Sequence, residues 1–240
     1  MKYHALIGFF FLFALGLSSC NKDQCLEGDQ YPKGSVRNLP PFSAINVNLS
    51  AIVEIIQDTG ANVPYVEIIA EENLETHLST TVTNDILNIS LGFCFSKHAE
   101  ITLKVHYDTL HTMTISGPGD LISKTIMTQD DLTLNIKSSG MMDLTTDVKN
   151  LISNIEGTGS IVLNGQVEYH LINHNNSGSI NSYQAMTDSV VANMNGTGNN
   201  YVRVKRDLTA NIFNSGNLYF KGFPTLQSNI TGSGELIDAN

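Results

Sequence analysis

The sequence predicts an all-β chain: a β-solenoid resembling a parallel β-helix, about 18–20 residues per coil, with an N-terminal β region packed on it or continuous with it. Three observations predict this. Apolar and β-branched residues alternate at period two through much of the chain. No long stretch at helical spacing interrupts them, and Glu71 to Leu78, with Asn73 as its cap, is the one short helix expected. From residue 111 onward, seven short glycine-containing elements recur at a nearly constant interval.

Composition narrows the function. The 240 residues are enough to bury a sizeable core. Lys and Arg number 13 against 23 Asp and Glu, a formal net charge of -10, so the basic footprint of a nucleic-acid binder is missing. Hydrophobic residues reach 41%, too many for a charged disordered tail.

The first residues carry an address. Ala5 to Leu17 is almost wholly apolar, too short for a comfortable membrane span and suited to the core of a signal peptide. Leu17-Ser18-Ser19-Cys20 then resembles the lipobox of bacterial lipoproteins. That resemblance implies a signal peptide over 1–19, cleavage before Cys20 and lipidation of Cys20, with the membrane as a partner through the lipid. The polar stretch 20–35 reads as a tether, and 36–240 as a single elongated domain with clear repeats over 111–238. An exported chain meets oxidising conditions, so Cys25 and Cys94 can join and fasten the tether to the body; the alternative is a plain buried thiol at Cys94.

Strand-like stretches follow in order: Phe42–Leu49, Ala51–Gln57, Val66–Ala70, Ile86–Leu91 and Ile101–Tyr107. The glycine elements start at Gly117, Gly140, Gly157, Asn176, Gly196, Asn214 and Gly232, with steps of 23, 17, 19, 20, 18 and 18 residues. Aligned on these starts, a mostly apolar column stands two residues before: Ile115, Ser138, Ile155, His174, Met194, Ile212 and Ile230. Small residues fill another even column, Ser153, Ala192, Ala210 and Ser228, with Ile172 as the exception. Even offsets share one strand face, so these columns stack inward from coil to coil. The glycines suit bends that need unusual φ or a close backbone approach. Three residues before the starts stand Asn154, Asn173, Asn193, Asn211 and Asn229. Amides at this spacing can hydrogen-bond between coils as a ladder; a binding stripe is the functional alternative.

The chain resembles the head GIN domain family of auto-transporter adhesins, common as Bacteroidetes lipoproteins, over about residues 36 to 237. Arg37 to Val47, Val66 to Leu74 and Ser116 to Leu121 carry the resemblance. It implies an all-β body with a β-helical part and no catalytic residues. The chain departs at Gly140-Met141-Met142, where the second small residue is lost, and at Asn176, which replaces a starting Gly.

No catalytic or metal constellation emerges, so neither enzyme activity nor a cofactor is expected. His170 and His174 lie on a strand, where four residues span about 13 Å, too far for one metal. Both fall in inward columns: either they are satisfied polar groups in the core, or the register of this coil is shifted by one, exposing them and burying Leu171, which is the reading preferred here. Asp130-Asp131 and Glu71-Glu72 read as solvated turns. Asp108-Thr109-Leu110 and Asp188-Ser189-Val190 resemble a short O-glycosylation pattern of Bacteroidetes exported proteins, although Val190 sits in an apolar column.

These readings point to a lipid-anchored cell-envelope protein, at the outer membrane, acting as a non-catalytic adhesion module for a glycan or an envelope protein. A structural envelope component without a dedicated ligand is the alternative, and a carbohydrate-active β-helix enzyme a distant third. The last coil ends at Ile237, so its strand edges are either a homodimer contact or are blunted by Asp238.

Overall fold

A computed structural model describes residues 25–60 and 63–240. The chain folds as an almost all-β solenoid of about seven turns with an N-terminal β region packed onto it.

Nineteen strands and one short helix occur among the described residues. In chain order they are β1 (Leu26–Glu27), β2 (Pro32–Asn38), β3 (Ala44–Asn48), β4 (Ile52–Gln57), β5 (Tyr65–Glu71), α1 (Glu72–Glu75), β6 (Leu78–Thr83), β7 (Ile86–Leu91), β8 (Phe95–Ser96) and β9 (Thr102–Tyr107). The repeats supply β10 (Thr112–Ile115), β11 (Asp120–Ser123), β12 (Met127–Ile136), β13 (Met141–Ile155), β14 (Ser160–His174), β15 (Ser179–Met194), β16 (Asn200–Ile212), β17 (Leu218–Lys221), β18 (Thr225–Ile230) and β19 (Leu236–Asp238). The long strands β13 to β16 each run along both walls of a coil, which is why seventeen strands join in one continuous sheet.

The first wall stacks β7, β3, β10, the later halves of β12 to β16, and β18 in parallel. The second stacks β9, β4, β11, the early parts of β13 to β16, β17 and β19. Inward columns from both walls meet in one core cluster. One such column is Val47, Ile115, Ile136, Ile155, His174, Met194, Ile212 and Ile230, each over the last. A coil cannot bury these residues alone; its neighbours supply the other side of each contact.

The register corrects one coil of the sequence alignment. Ile136, not Ser138, occupies the inward column, so the first two steps are 21 and 19 residues rather than 23 and 17. Gly140 therefore stacks over Gly119 and is the second glycine of its element, while Ser138 takes the first place and donates its hydroxyl to the Gly117 carbonyl. The small residue that seemed lost at Met141-Met142 is Gly140 itself. A count keyed on glycines slips here because the element has only one.

The glycine pairs answer to close approach rather than to φ. None of the repeat glycines has positive φ. A Cβ on Gly140, Gly159, Gly178, Gly198, Gly216 or Gly234 would lie 1.8–2.3 Å from a carbonyl oxygen of the preceding coil. Ser138, Asn176 and Asn214 replace the first glycine in alternate coils, and each bonds down to the coil beneath.

At the N-terminal end, β3 and β4 are a full turn of the solenoid, and the rest of the region caps it. Antiparallel β6 on β7, and β5 and β2 beyond β9, finish the two walls. Helix α1 is shorter than expected and starts after Glu71, without a side-chain cap. Asn73 donates instead to the Glu27 carbonyl, 2.7 Å away.

Residues 25–35, expected in the tether, enter the fold. β1 pairs with β8, and β2 with β5. Glu71 explains part of this. It is buried, not in a solvated turn, and its Oε1 accepts the backbone N–H groups of Gln30 (3.1 Å) and Ala99 (2.9 Å). A buried carboxylate needs such donors, and these two tie the entering chain to the β8–β9 loop.

His170 and His174 point inward with no register shift. His170 stacks between Leu151 and Val190, His174 between Ile155 and Met194, and Leu171 faces outward. The small residue at Ser153 leaves room for the His170 ring and hydrogen-bonds its Nε2 at 2.9 Å. His170 thus has one partner in the core, whereas neither His174 nitrogen meets one; the apolar residues that flank both rings in the column hold the register.

Candidate binding site on the outer wall of the last coils

The residues singled out from the sequence lie in three places. Cys20, with the expected signal segment and the start of the expected tether, falls outside the described residues. Cys25 and Cys94 are joined as a disulfide, with Cα atoms 4.7 Å apart and a sequence separation of 69. In the chain-entropy account a loop of that length contributes roughly 4 kcal/mol.

The asparagine column lies on the outer face of the first wall and is half-buried up to Asn211, with Asn229 exposed. Each amide donates from Nδ2 to the Oδ1 of the coil before it: Asn154 to Asn135, Asn173 to Asn154, Asn193 to Asn173 and Asn211 to Asn193, over 2.8–3.1 Å. Asn135, hidden from the sequence reading by the slipped coil, extends the chain and donates to Thr114 Oγ1. Asn229 continues the column in register with Asn211, without a bond of this kind. The ladder uses donor and acceptor of each interior amide, which makes it a structural seam rather than a row of free recognition groups. Asn173→Ala is expected to remove two bonds and cost about 1–2 kcal/mol, read as a lower urea midpoint. A midpoint equal to the native one would mean that water replaces the ladder at no cost.

Chemistry is sparse elsewhere. Among the described residues no group of three or more His, Cys, Asp or Glu could hold a metal. His106 and Asp58 form the one pair that looks like part of a hydrolase, with Nδ1 2.6 Å from Oδ2. The imidazole stacks on Tyr65, and its Nε2 meets no hydrogen-bond partner, the nearest carboxylate oxygen being Glu67 Oε1 at 3.9 Å. A base oriented by an acid needs a nucleophile on its other nitrogen. Without one, the pair pins the end of β4 to β9. Asp130 and Asp131 are engaged by Lys149 and Asn150 respectively.

The second wall carries a different arrangement. Tyr183, Tyr201 and Tyr219 stand one coil apart on its outer face. Tyr201 and Tyr219 stack at 4.9 Å between ring centroids, and Tyr183 meets Tyr201 edge-on at 5.5 Å. Beside them Arg203 and Lys221 face each other on adjacent strands, and Lys221 Nζ lies 4.6 Å over the Tyr183 ring. Burial, with the neighbouring phenols, raises the pKa of the Tyr183 hydroxyl, so it stays a neutral donor.

A local irregularity turns this flat wall into a hollow. β15 advances five residues from Ser182 to Thr187 while β16 advances two, from Val202 to Val204. The surplus bulges outward and re-aims Tyr183, Gln184 and Met186. With Arg203, Lys221 and Phe223 they line an open cavity of about 650 Å³, within the range of small-ligand sites. Phe223 is 91% exposed. The 18-residue spacing of the three tyrosines was visible in the sequence; the bulge that opens the hollow was not.

Comparison with known families bears on these features. The family described as "Putative auto-transporter adhesin, head GIN domain" matches residues 41–224. The chain belongs to this family. Solved structures share its fold. A "putative adhesin" from Bacteroides fragilis NCTC 9343 superposes with a TM-score of 0.80 at 18% identity, covering 88% of this chain and 98% of that one. A "putative adhesin" from Parabacteroides merdae ATCC 43184 gives 0.71 at 19%, covering 89% and 99%. A "putative lipid binding protein" from Parabacteroides distasonis ATCC 8503 gives 0.71 at 19%, covering 89% and 100%. No curated protein matches the chain. The description of this head GIN family is that of an adhesin and not of an enzyme, and the outer-wall hollow, not a catalytic cluster, is its candidate site in this chain.

Proposed function

We propose that this head GIN protein is a lipid-anchored, non-catalytic adhesion module of the cell envelope that binds a glycan or a protein partner. Family membership over residues 41–224 is the observation that carries the reading. The lipobox-like Leu17 to Cys20 supports an anchor in the outer membrane, with Cys20 as the lipidated residue. A solenoid suits the role: its stacked coils make a stiff body whose outer walls are free to present side chains. The hollow beside Tyr183 is the place on those walls shaped to receive a ligand.

A structural or assembly role is the second reading, and the last turn favours it. β18 is exposed along its length, including its Leu226 and Ile230, and Phe223 stands open just before it. Unpaired strand edges of this kind can dock a second copy.

Protease treatment of intact cells, with lysed cells as control, separates the two. Digestion on intact cells is expected, because an adhesion module must face outward. Protection until lysis would overturn surface adhesion and turn attention to envelope assembly.

A further inference from the structure

We infer that the hollow on the second wall is a binding site for an acidic saccharide, one whose sugar ring packs on Tyr183 and Phe223 while its carboxylate meets Arg203 and Lys221. The inference rests on the proposed adhesion role and deepens it.

Charge is the first argument. The protein carries a formal net charge of -10, and its cations are mostly neutralised locally. Lys33, Arg37, Lys97, Lys104, Lys124, Lys149, Lys205 and Arg206 each have a carboxylate within 4.0 Å. Among the described residues, Lys137, Arg203 and Lys221 have none, and the last two sit opposite each other on neighbouring strands. Like charges so placed destabilise a sheet. Nearby Asp188 does not relieve them, because it is engaged by Lys205 and Arg206. An incoming anion would relieve the pair, and a guanidinium fork fits the two oxygens of a carboxylate.

Shape and surface are the second argument. An anion site alone needs no aromatic wall. Here Tyr183 and Phe223 line the hollow with the charged pair, and Tyr201 and Tyr219 continue the aromatic column beside it. The flat faces of such rings suit the C–H faces of a pyranose, and their hydroxyls, with the Gln184 amide, suit its alcohols. The hollow is an open trough, so it admits one unit of a longer chain without enclosing its ends. A ligand that offers an apolar ring face, hydroxyls and a carboxylate within one residue is a uronic-type sugar.

The test uses the protein without its signal segment and three probes of matched length: an oligouronate, its carboxyl-reduced neutral counterpart, and an oligoglutamate peptide. Titration calorimetry at low salt is expected to show binding of the oligouronate, weaker by tenfold or more for the neutral sugar, and weakened by added salt. Arg203→Gln and Lys221→Gln should each reduce oligouronate affinity about tenfold, and Phe223→Ala, at an exposed lining residue, should reduce affinity for both sugars, with thermal midpoints near that of the native protein. Oligouronate binding that survives both charge substitutions would overturn the site while leaving adhesion standing. Tight binding of the peptide but not the sugar would overturn the saccharide assignment. Failure to bind either sugar would overturn this inference alone when the intact-cell digestion still places the protein outside.

Discussion

Gly198→Ala is expected to cost about 3 kcal/mol or more, a large share of the 5–15 kcal/mol that holds a typical domain together. The added Cβ would lie 1.8 Å from the Gly178 carbonyl oxygen and 2.8 Å from His174 Cε1. Neither neighbour can give way cheaply. The carbonyl belongs to a coil that is itself pressed on the one beneath, where a Cβ on Gly178 would stand 2.3 Å from the Gly159 oxygen. His174 is buried in the column below. Relief therefore requires parting two coils, and the contacts between them are the source of stability in a stacked array. Gly34→Ala is the control. It has nothing within 4 Å of its Cβ position, and its midpoint should shift by no more than about 0.5 kcal/mol equivalent. Urea unfolding of both variants checks the pair. Equal midpoints would mean that the coils are not packed at this distance.

Acidification should destabilise the protein before its carboxylates titrate. His170 is fully buried among Leu151, Val190 and Ser153, and burial lowers its pKa to about 3. Burial also lowers that of His174, with the nearby Asn200 amide and the backbone at Asn176 and Gly178 opposing the shift. The unfolded chain takes up protons near pH 6.5, the folded chain only much lower. Between those values the unfolded state binds more protons, so stability rises with pH across the window and is lost as pH falls from about 6.5 toward 3. For His170 alone the full loss is roughly 5 kcal/mol, at up to about 1.4 kcal/mol per pH unit. The measurement is the urea midpoint from pH 8 to pH 5, where few carboxylates change state. The native protein should weaken below pH 6.5. The double variant His170→Leu with Ser153→Ala, which removes the ring and the hydroxyl that bonds it, should weaken less steeply. An unchanged slope in that variant would clear His170 of the effect.

Much of the fold was legible because a solenoid repeats its contacts. The spacing of the glycine elements announced a coil of about 19 residues, and period-two alternation told inward from outward on each strand. The asparagines at one offset announced a seam, since stacking in register brings like residues together. The coil at Gly140 was misread because one glycine served where two were expected, and only the pairing of Ile136 with Ile155 shows which one it is. The histidines were misread for a different reason. Polarity argued for exposure, but a small neighbour, Ser153, makes the buried His170 ring tolerable from one coil away, and His174 is held inward by Ile155 and Met194 stacked on either side of it.

The sequence by itself determined the repeat, the two faces of its strands and the seam of amides, because each depends on residues at a fixed offset within a coil. Tertiary structure alone decided how the ends are finished and where a ligand can sit. β3 and β4 form a solenoid turn with β10 and β11, although β5 to β9 lie between them in sequence, and Glu71 is buried by backbone donors from residues 30 and 99. The hollow beside Tyr183 arises from a bulge that breaks the register between β15 and β16. These features depend on how distant segments pair, and a pairing has no fixed offset along the chain from which to read it.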